Sequence, residues 1–197
     1  MCTLYAVKPV EPVAFEICIG SERDINTLCE IDLDASRLFE QAGLELNLPE
    51  DHAFFRNERI RWLDSLLSES ALLARGGDGQ ILGFAASGQR DNEPYLDQLS
   101  VRVEFMRMGI GGALLAAAQD LALQRGGQVL WLTTYGHLPW NRPFYERAGF
   151  AVMPQSSWGP DILKEAGYER RWLPSPEHRI VMRKELRTYR GGGFISY

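Results

Sequence analysis

Three glycines in four positions, Gly109, Gly111 and Gly112, stand directly before an alanine- and leucine-rich run in "FMRMGIGGALL" (Phe105 to Leu115). Where a strand passes through such a turn into a helix, the first N–H groups of the helix lack carbonyl partners and the helix dipole attracts anions. Glycines have no Cβ, so a phosphate can come close to the backbone, and Arg107 adds a charge-assisted contact. Spacing excludes two common phosphate loops. A dinucleotide-binding GxGxxG beginning at Gly109 needs glycine where Leu114 stands, and a Walker loop needs a lysine that does not follow. Taken alone, the glycines suit a phosphate cradle and close helix packing about equally well.

The elements around the turn must hold it in place. "YLDQLSV" (Tyr95 to Val101) reads as the strand that leads into it, and strand alternation puts Asp97 on the same face as Leu99. Ile110, Leu114, Ala118, Leu121 and Ala122 then recur at helical intervals until Gly126 and Gly127 end the run. "VLWLTT" is the next strand, so the unit from Tyr95 to Thr133 is expected to be parallel.

Upstream, "FEICIG" (Phe15 to Gly20) alternates as a strand, and a helix starts at Ser21 and Asp24 and stops at Gly43. A second helical stretch, "RNERIRWLDSLLSES", aligns Ile60, Leu63 and Leu67 on one face. "ALLAR", "GGDG" and "QILGFAAS" form a hairpin signature. Downstream, "PWNRPFYERAGF" gives a short helix ended by Gly149 and a strand from Phe150. A helix over Asp161 to Ala166 and a last strand, "RIVMRKEL" (Arg179 to Leu186), follow. This order predicts an α/β protein of one domain over residues 1–197, with a mixed sheet covered by helices on both faces. The tail from about residue 187 to 197 is expected to be mobile.

Composition narrows the function classes. With 197 residues, 45% hydrophobic and 24% charged, the chain can bury a full core. A net charge of −5 argues against a partner made of nucleic acid phosphates. Ten acids against two arginines lie between Glu16 and Asp51. They read either as a solvated helix face or as a field that favours a cationic ligand. Cys2, Cys18 and Cys29 make no CxxC pair and no metal-ligand spacing, which points to reduced, buried thiols. The opening residues are broken by prolines and charges, and no run approaches a membrane span of about 20 residues, so a soluble cytoplasmic protein without membrane contact is expected.

Two motifs together resemble a known superfamily, the GNAT N-acetyltransferases. Their acetyl-coenzyme A motif, V-x-x-x-x-[QR]-x-x-G-[IV]-[GA]-x-x-L, is matched by Val101, Gly109, Ile110, Gly111 and Leu114; their downstream N-x-P-F-Y-x-x-x-G-F is matched by Asn141, Pro143, Phe144, Tyr145, Gly149 and Phe150. Met106 departs from the motif, standing where Gln or Arg is usual. The resemblance implies a GNAT-like fold with a twisted, mostly antiparallel sheet of about six to seven strands. The implied activity moves the acetyl group of acetyl-coenzyme A to a primary amine by direct transfer in a ternary complex. The alternative is a non-catalytic acyl-coenzyme A sensor or regulatory domain on the same fold.

On that resemblance, backbone N–H groups of Leu99, Ser100 and Val101 face the thioester carbonyl. Arg107, Met108, Gly109, Ile110, Gly111 and Gly112 meet the cofactor at the pyrophosphate turn, Asn141 contacts its pantetheine or phosphate arm, and Phe144 and Tyr145 also bind the cofactor. Tyr145 is the implied proton donor to the departing thiolate; the competing reading is an aromatic core residue with a hydrogen-bonded hydroxyl. An alkyl amine near pKa 10.4 also needs a base. Asp97 is the first candidate, Glu93 and His137 are rivals, and a water chain without a single base stays open. Asn141 reads equally as the N-cap of its helix. Trp62, Trp140, Trp158 and Trp172 line an acceptor pocket or simply pack. The acceptor is a small-molecule or peptide amine, and pairing of two chains through an exposed final strand and the aromatic tail is open.

Overall fold

The computed structural model describes residues 13–49 and 51–186. A seven-stranded sheet runs in the order β1-β2-β3-β4-β5-β7-β6. Its strands are β1 (Phe15–Ile19), β2 (Ala71–Gly76), β3 (Ile81–Arg90), β4 (Glu93–Val101), β5 (Val129–Tyr135), β6 (Ala151–Val152) and β7 (Arg179–Glu185). All pairs are antiparallel except β4 with β5, where α3 (Ile110–Gln124) makes the crossover.

Two cores separate the layers. On one face α3 and the short α4 (Arg142–Arg147) cover Leu72, Leu82, Ala85, Leu96, Leu130 and Met182. On the other face α1 (Ile25–Gln41) and α2 (Ala53–Leu67) cover Leu73, Phe84 and Ala86, while α5 (Pro160–Trp172) covers Tyr95, Trp131 and Val181. Ser21 and Asp24 start the first helical segment through a capping box, the backbone N–H of Ser21 donating to Asp24 Oδ2 at 2.8 Å.

Several expectations change. Ile60 and Leu67 are 55% and 61% exposed, and α2 instead buries Phe54, Trp62 and Leu66. The indole of Trp62, packed 5.4 Å from the Phe84 ring, outweighs the aliphatic residues and sets the rotation of the helix. The helix near Asp161 runs from Pro160 to Trp172, and the side chain of Asp91 caps its start: Asp161 N–H donates to Asp91 Oδ1 at 2.9 Å and Ile162 N–H to Oδ2 at 3.1 Å. Asp91 and Asn92 form a two-residue hairpin, both at positive φ, which leaves Pro94 inside β4.

The final strand is not the last strand of the sheet. β7 lies between β5 and β6, although β6 pairs with it only at Met182 and Arg183, and the aromatic tail lies outside the described residues. Cys18 and Cys29 are half-buried thiols and Cys2 lies outside the described residues. Among the described residues, no helix is long and apolar enough to cross a membrane.

Candidate functional site

β4 begins between two strands and ends beside one. It pairs with β5 only at Tyr95 and Leu96, while its pairing with β3 continues to Val101. Between Ala86 and Ser87 the register with β3 shifts, because Ala86 meets Gln98 and Ser87 meets Leu96. Asp97 is the extra residue, a two-against-one bulge that bends the strand and breaks its alternation.

The bulge corrects the expected placement of Asp97. Leu96, Leu99 and Val101 pack on the α3 side, whereas Tyr95 packs against α5, and Gln98 and Ser100 bond Asp32 of α1. Asp97 therefore faces away from Leu99, on the side of α1, α2 and α5, with its Oδ1 2.7 Å from Arg90 Nη2.

Past the bulge the strand edge toward β5 is open. Arg102 N–H donates to Leu82 O at 2.8 Å, and antiparallel alternation turns the N–H groups of Ser100 and Gln98 toward β3 as well. The N–H groups of Leu99 and Val101 then point into the gap between β4 and β5. Ser100 is excluded from that pair by its backbone direction, and its hydroxyl is bound to Asp32 at 2.9 Å on the opposite face.

The strand that lost β5 is held by α1. Asp32 accepts from the side chains of Gln98 and Ser100, and Asp34 Oδ2 accepts from the Val103 N–H at 2.8 Å. Burial pushes the Asp32 carboxyl up, the bonds from Ser100 and Gln98 opposing this. Two of the ten acids expected to form a field are thus used to fix the end of β4.

Packing does not account for the glycines of the turn. Gly109 has φ +85° as the N-cap of α3, which only glycine adopts readily, and Arg107 is also at positive φ, +63°. A Cβ on Gly109 or Gly112 would meet nothing within 4 Å, and one on Gly111 would make ordinary contact with Phe144 and Val101 at 3.8 Å. Helix packing therefore does not require glycine at Gly109 or Gly112. The carbonyl of Gly109 accepts from Ala113 N–H at 3.0 Å, so the N–H groups of Ile110, Gly111 and Gly112 precede the first helical bond. Ile110 is buried in the core and Met106 packs against it, so both contribute backbone at most; Arg107 and Gly112 are exposed and Met108 is half-buried.

Asn141 stands at the N-cap of α4, yet its side chain makes no capping bond; its carbonyl accepts from the Phe144 and Tyr145 N–H groups at 2.9 and 3.2 Å. Tyr145 packs against Phe144 and Phe150 with ring centroids 5.1 and 5.8 Å away. Burial pushes its phenol up to about 12, the charge of Arg179 opposing this, and its hydroxyl has no hydrogen-bond partner among the described residues. Tyr145 is half-buried, so its hydroxyl is within reach of solvent, and the reading of a core residue with a hydrogen-bonded hydroxyl finds no protein partner among the described residues.

Asp97 is held up near 6 by burial, against the attraction of Arg90 and Arg61. Glu93 opens β4, four residues before the bulge. His137 lies exposed beyond β5 with its ring 4.2 Å from that of His178, and desolvation and that neighbour lower its pKa. Trp62, Trp158 and Trp172 are packing residues: Trp158 Nε1 donates to Met153 O at 3.1 Å, and Trp172 lies 4.5 Å from the His52 ring. Trp140, 38% exposed, stands 6.5 Å from Phe39 near the end of β5.

Sequence reasoning missed the charged groups around Asp97. Arg90, Arg61 and Glu165 come from β3, α2 and α5 and meet only in the fold. No local spacing links them; the one available signal was an arginine at the end of a strand that begins apolar.

Known proteins share this architecture. A sequence model described as the Acetyltransferase (GNAT) family matches residues 33–150. The PaiA N-acetyltransferase from Thermoplasma acidophilum, solved in complex with coenzyme A, superposes with a TM-score of 0.63 at 18% identity, over 87% of this chain and 99% of that one. An acetyltransferase of the GNAT family from Staphylococcus aureus gives 0.65 at 17% identity, over 88% and 100%. The ribosomal-protein-S18-alanine N-acetyltransferase from Escherichia coli gives 0.59 at 18% identity, over 93% and 99%. At these identities the structural likeness is one of fold.

The role of Asp32 is open to a direct check. Asp32→Ala leaves the Ser100 and Gln98 side chains without their acceptor and is expected to lower stability by roughly 1–3 kcal/mol. Urea denaturation with an unchanged midpoint would show that Asp32 does not help α1 hold β4.

Proposed function

Because this chain belongs to the acetyltransferase (GNAT) family, whose co-substrate is acetyl-coenzyme A, we propose that it transfers the acetyl group directly to a primary amine in a ternary complex. The open edge of β4 carries the reading. Two backbone donors, on Leu99 and Val101, face a gap that no strand fills among the described residues, where they can meet an oxygen that gains negative charge.

The residues present fit the co-substrate. The glycine turn leaves open space where side chains would block a pyrophosphate, and the free N–H groups of Ile110, Gly111 and Gly112, with Arg107, would hold it. Met108 borders that turn, and the uncapped amide of Asn141 and the ring of Phe144 would meet the pantetheine arm. Acetyl-coenzyme A supplies an acetyl group activated as a thioester.

The chain's own groups stand on opposite sides of the gap. Asp97 faces the α1, α2 and α5 side and Tyr145 the α3 side, which suits a base for the incoming amine and a donor for the departing thiolate. A carboxylate near 6 is mostly ionised at neutral pH and retains enough basicity to take a proton from an amine as its nitrogen bonds carbon. A phenol near 12 stays protonated. It is a weaker acid than a thiol near 8.5, so Tyr145 stabilises the thiolate by donating a hydrogen bond rather than by giving up its proton. The acceptor is a small-molecule or peptide amine.

Incubation with acetyl-coenzyme A and a panel of amines, with thiol release recorded, tests the activity; no amine-dependent release in any class would reject it. With an active amine, kcat/KM should fall as pH drops below about 6, because only ionised Asp97 accepts a proton. Asp97→Asn should remove that limb, and Tyr145→Phe should lower kcat by about 10²-fold with KM little changed. Gly112→Val should weaken coenzyme A binding by about tenfold or more in calorimetry while the fold is kept, since its side chain would enter open space. Unaltered binding would return the glycine turn to a purely structural role.

A further inference from the structure

Asp97 is the inner end of a row of alternating charges. Its Oδ1 lies 2.7 Å from Arg90 Nη2, and the same nitrogen lies 3.0 Å from Glu165 Oε2, to which Arg90 Nε also donates at 3.1 Å. Glu165 Oε1 is bound by Arg61, which in turn pairs with Glu58. The side chains are 3%, 15%, 10%, 22% and 15% exposed in order from Asp97 to Glu58, so solvent screens the row weakly.

The division of donors within the row is unequal. Arg90 gives two N–H groups to Glu165, at 3.0 and 3.1 Å, and one to Asp97, at 2.7 Å, so the orientation of the guanidinium is fixed by two bonds from α5 and one from the aspartate. Asp97 Oδ2 has no hydrogen bond among the described residues, and it lies beside Gly88, where a Cβ would come within 2.7 Å of it. The row holds three carboxylates and two guanidiniums, so one negative charge is left uncompensated.

We propose that Glu165 of α5 is a positioning residue for the acetyl transfer: by engaging Arg90 through two of its N–H groups, it leaves Asp97 one contact and one free oxygen with which to accept a proton. The inference rests on the reading of Asp97 as the base. A row that served only to fasten α5 to the sheet would need no such asymmetry, since its packing on Tyr95, Trp131 and Val181 already places the helix.

The groups that face Asp97 are Arg90 from β3, Tyr95 from β4, Arg61 from α2 and Glu165 from α5. Arg90 and Arg61 favour the carboxylate and Glu165 opposes it. Opposite substitutions should therefore move Asp97 in opposite directions.

The experiment is carbon-13 NMR of the full chain labelled at aspartate carboxyls, titrated with pH, the Asp97 signal being assigned by its loss in Asp97→Asn. In Glu165→Gln, Arg90 turns its charge to Asp97 and a neighbouring negative charge is gone, so the midpoint should fall by about one unit. In Arg61→Gln it should rise. Circular dichroism confirms folding of each variant. An unmoved midpoint in folded Glu165→Gln overturns the proposal; if that variant does not fold, a midpoint in Arg61→Gln that stays or falls overturns it. Turnover separates the two readings. An inflection near pH 6 in amine-dependent thiol release that survives in Asp97→Asn overturns the base assignment beneath the inference, whatever the NMR shifts.

Discussion

At Asp97, β4 places two residues against one of β3, and everything chemical about the site follows from where that extra residue falls. Just before it, β4 is an interior strand hydrogen-bonded on both edges; just after it, the edge toward β5 is free. The bulge also turns Leu99 and Val101 to the α3 side while Asp97 and Gln98 stay on the other. One backbone irregularity thus opens a slot, aims two N–H groups into it, and puts the carboxylate on the far wall from the glycine turn.

An opened sheet has to be stabilised by something other than strand pairing. Asp32 and Asp34 do this from α1, taking up the side chains of Gln98 and Ser100 and the N–H of Val103, which would otherwise be polar groups left half-buried without partners. On the other wall, Tyr95 donates to Thr133 at 3.1 Å, and Arg179 reaches the same hydroxyl at 2.9 Å, tying β4 to β5 just where their backbones part. The slot is therefore a gap between two braced walls, and a rigid gap serves an enzyme better than a flexible one, because orientation is fixed before the substrates arrive.

The glycine turn and "NRPFYERAGF" were legible because their chemistry is local: a positive φ, free N–H groups and a short helix follow from neighbouring residues. The element order and the parallel step from β4 to β5 were legible for the same reason. The bulge was not, since strict alternation is the default for a strand and nothing in "YLDQLSV" signals a break. The rotation of α2 failed because three aliphatic residues outnumber one tryptophan in a pattern, whereas in a core the larger ring decides. The row from Asp97 to Glu58 joins residues up to 104 positions apart, and such contacts exist only once the helices have docked.

The acids of the first helix illustrate how charge read from a sequence is redistributed by a fold. Their number suggested a diffuse negative field, yet Asp32 and Asp34 are tied to β4 and the loop after it, and Asp24 closes a capping box. The negative charge near the slot belongs instead to Asp97 and Glu165, brought there by the bulge and by α5 and balanced in part by Arg90 and Arg61. An alternating row of this kind adds little net stability, since desolvation offsets much of the attraction between its members. Its physical consequence is specificity of arrangement: with two guanidiniums shared among three carboxylates, the buried residue at the inner end is the one whose proton is most easily exchanged. The positive φ of Arg107 and the free amides of the glycine turn favour an anion at the opposite mouth. On the proposed function, an anionic donor and an amine acceptor would thereby be directed to different sides of the same opened strand pair.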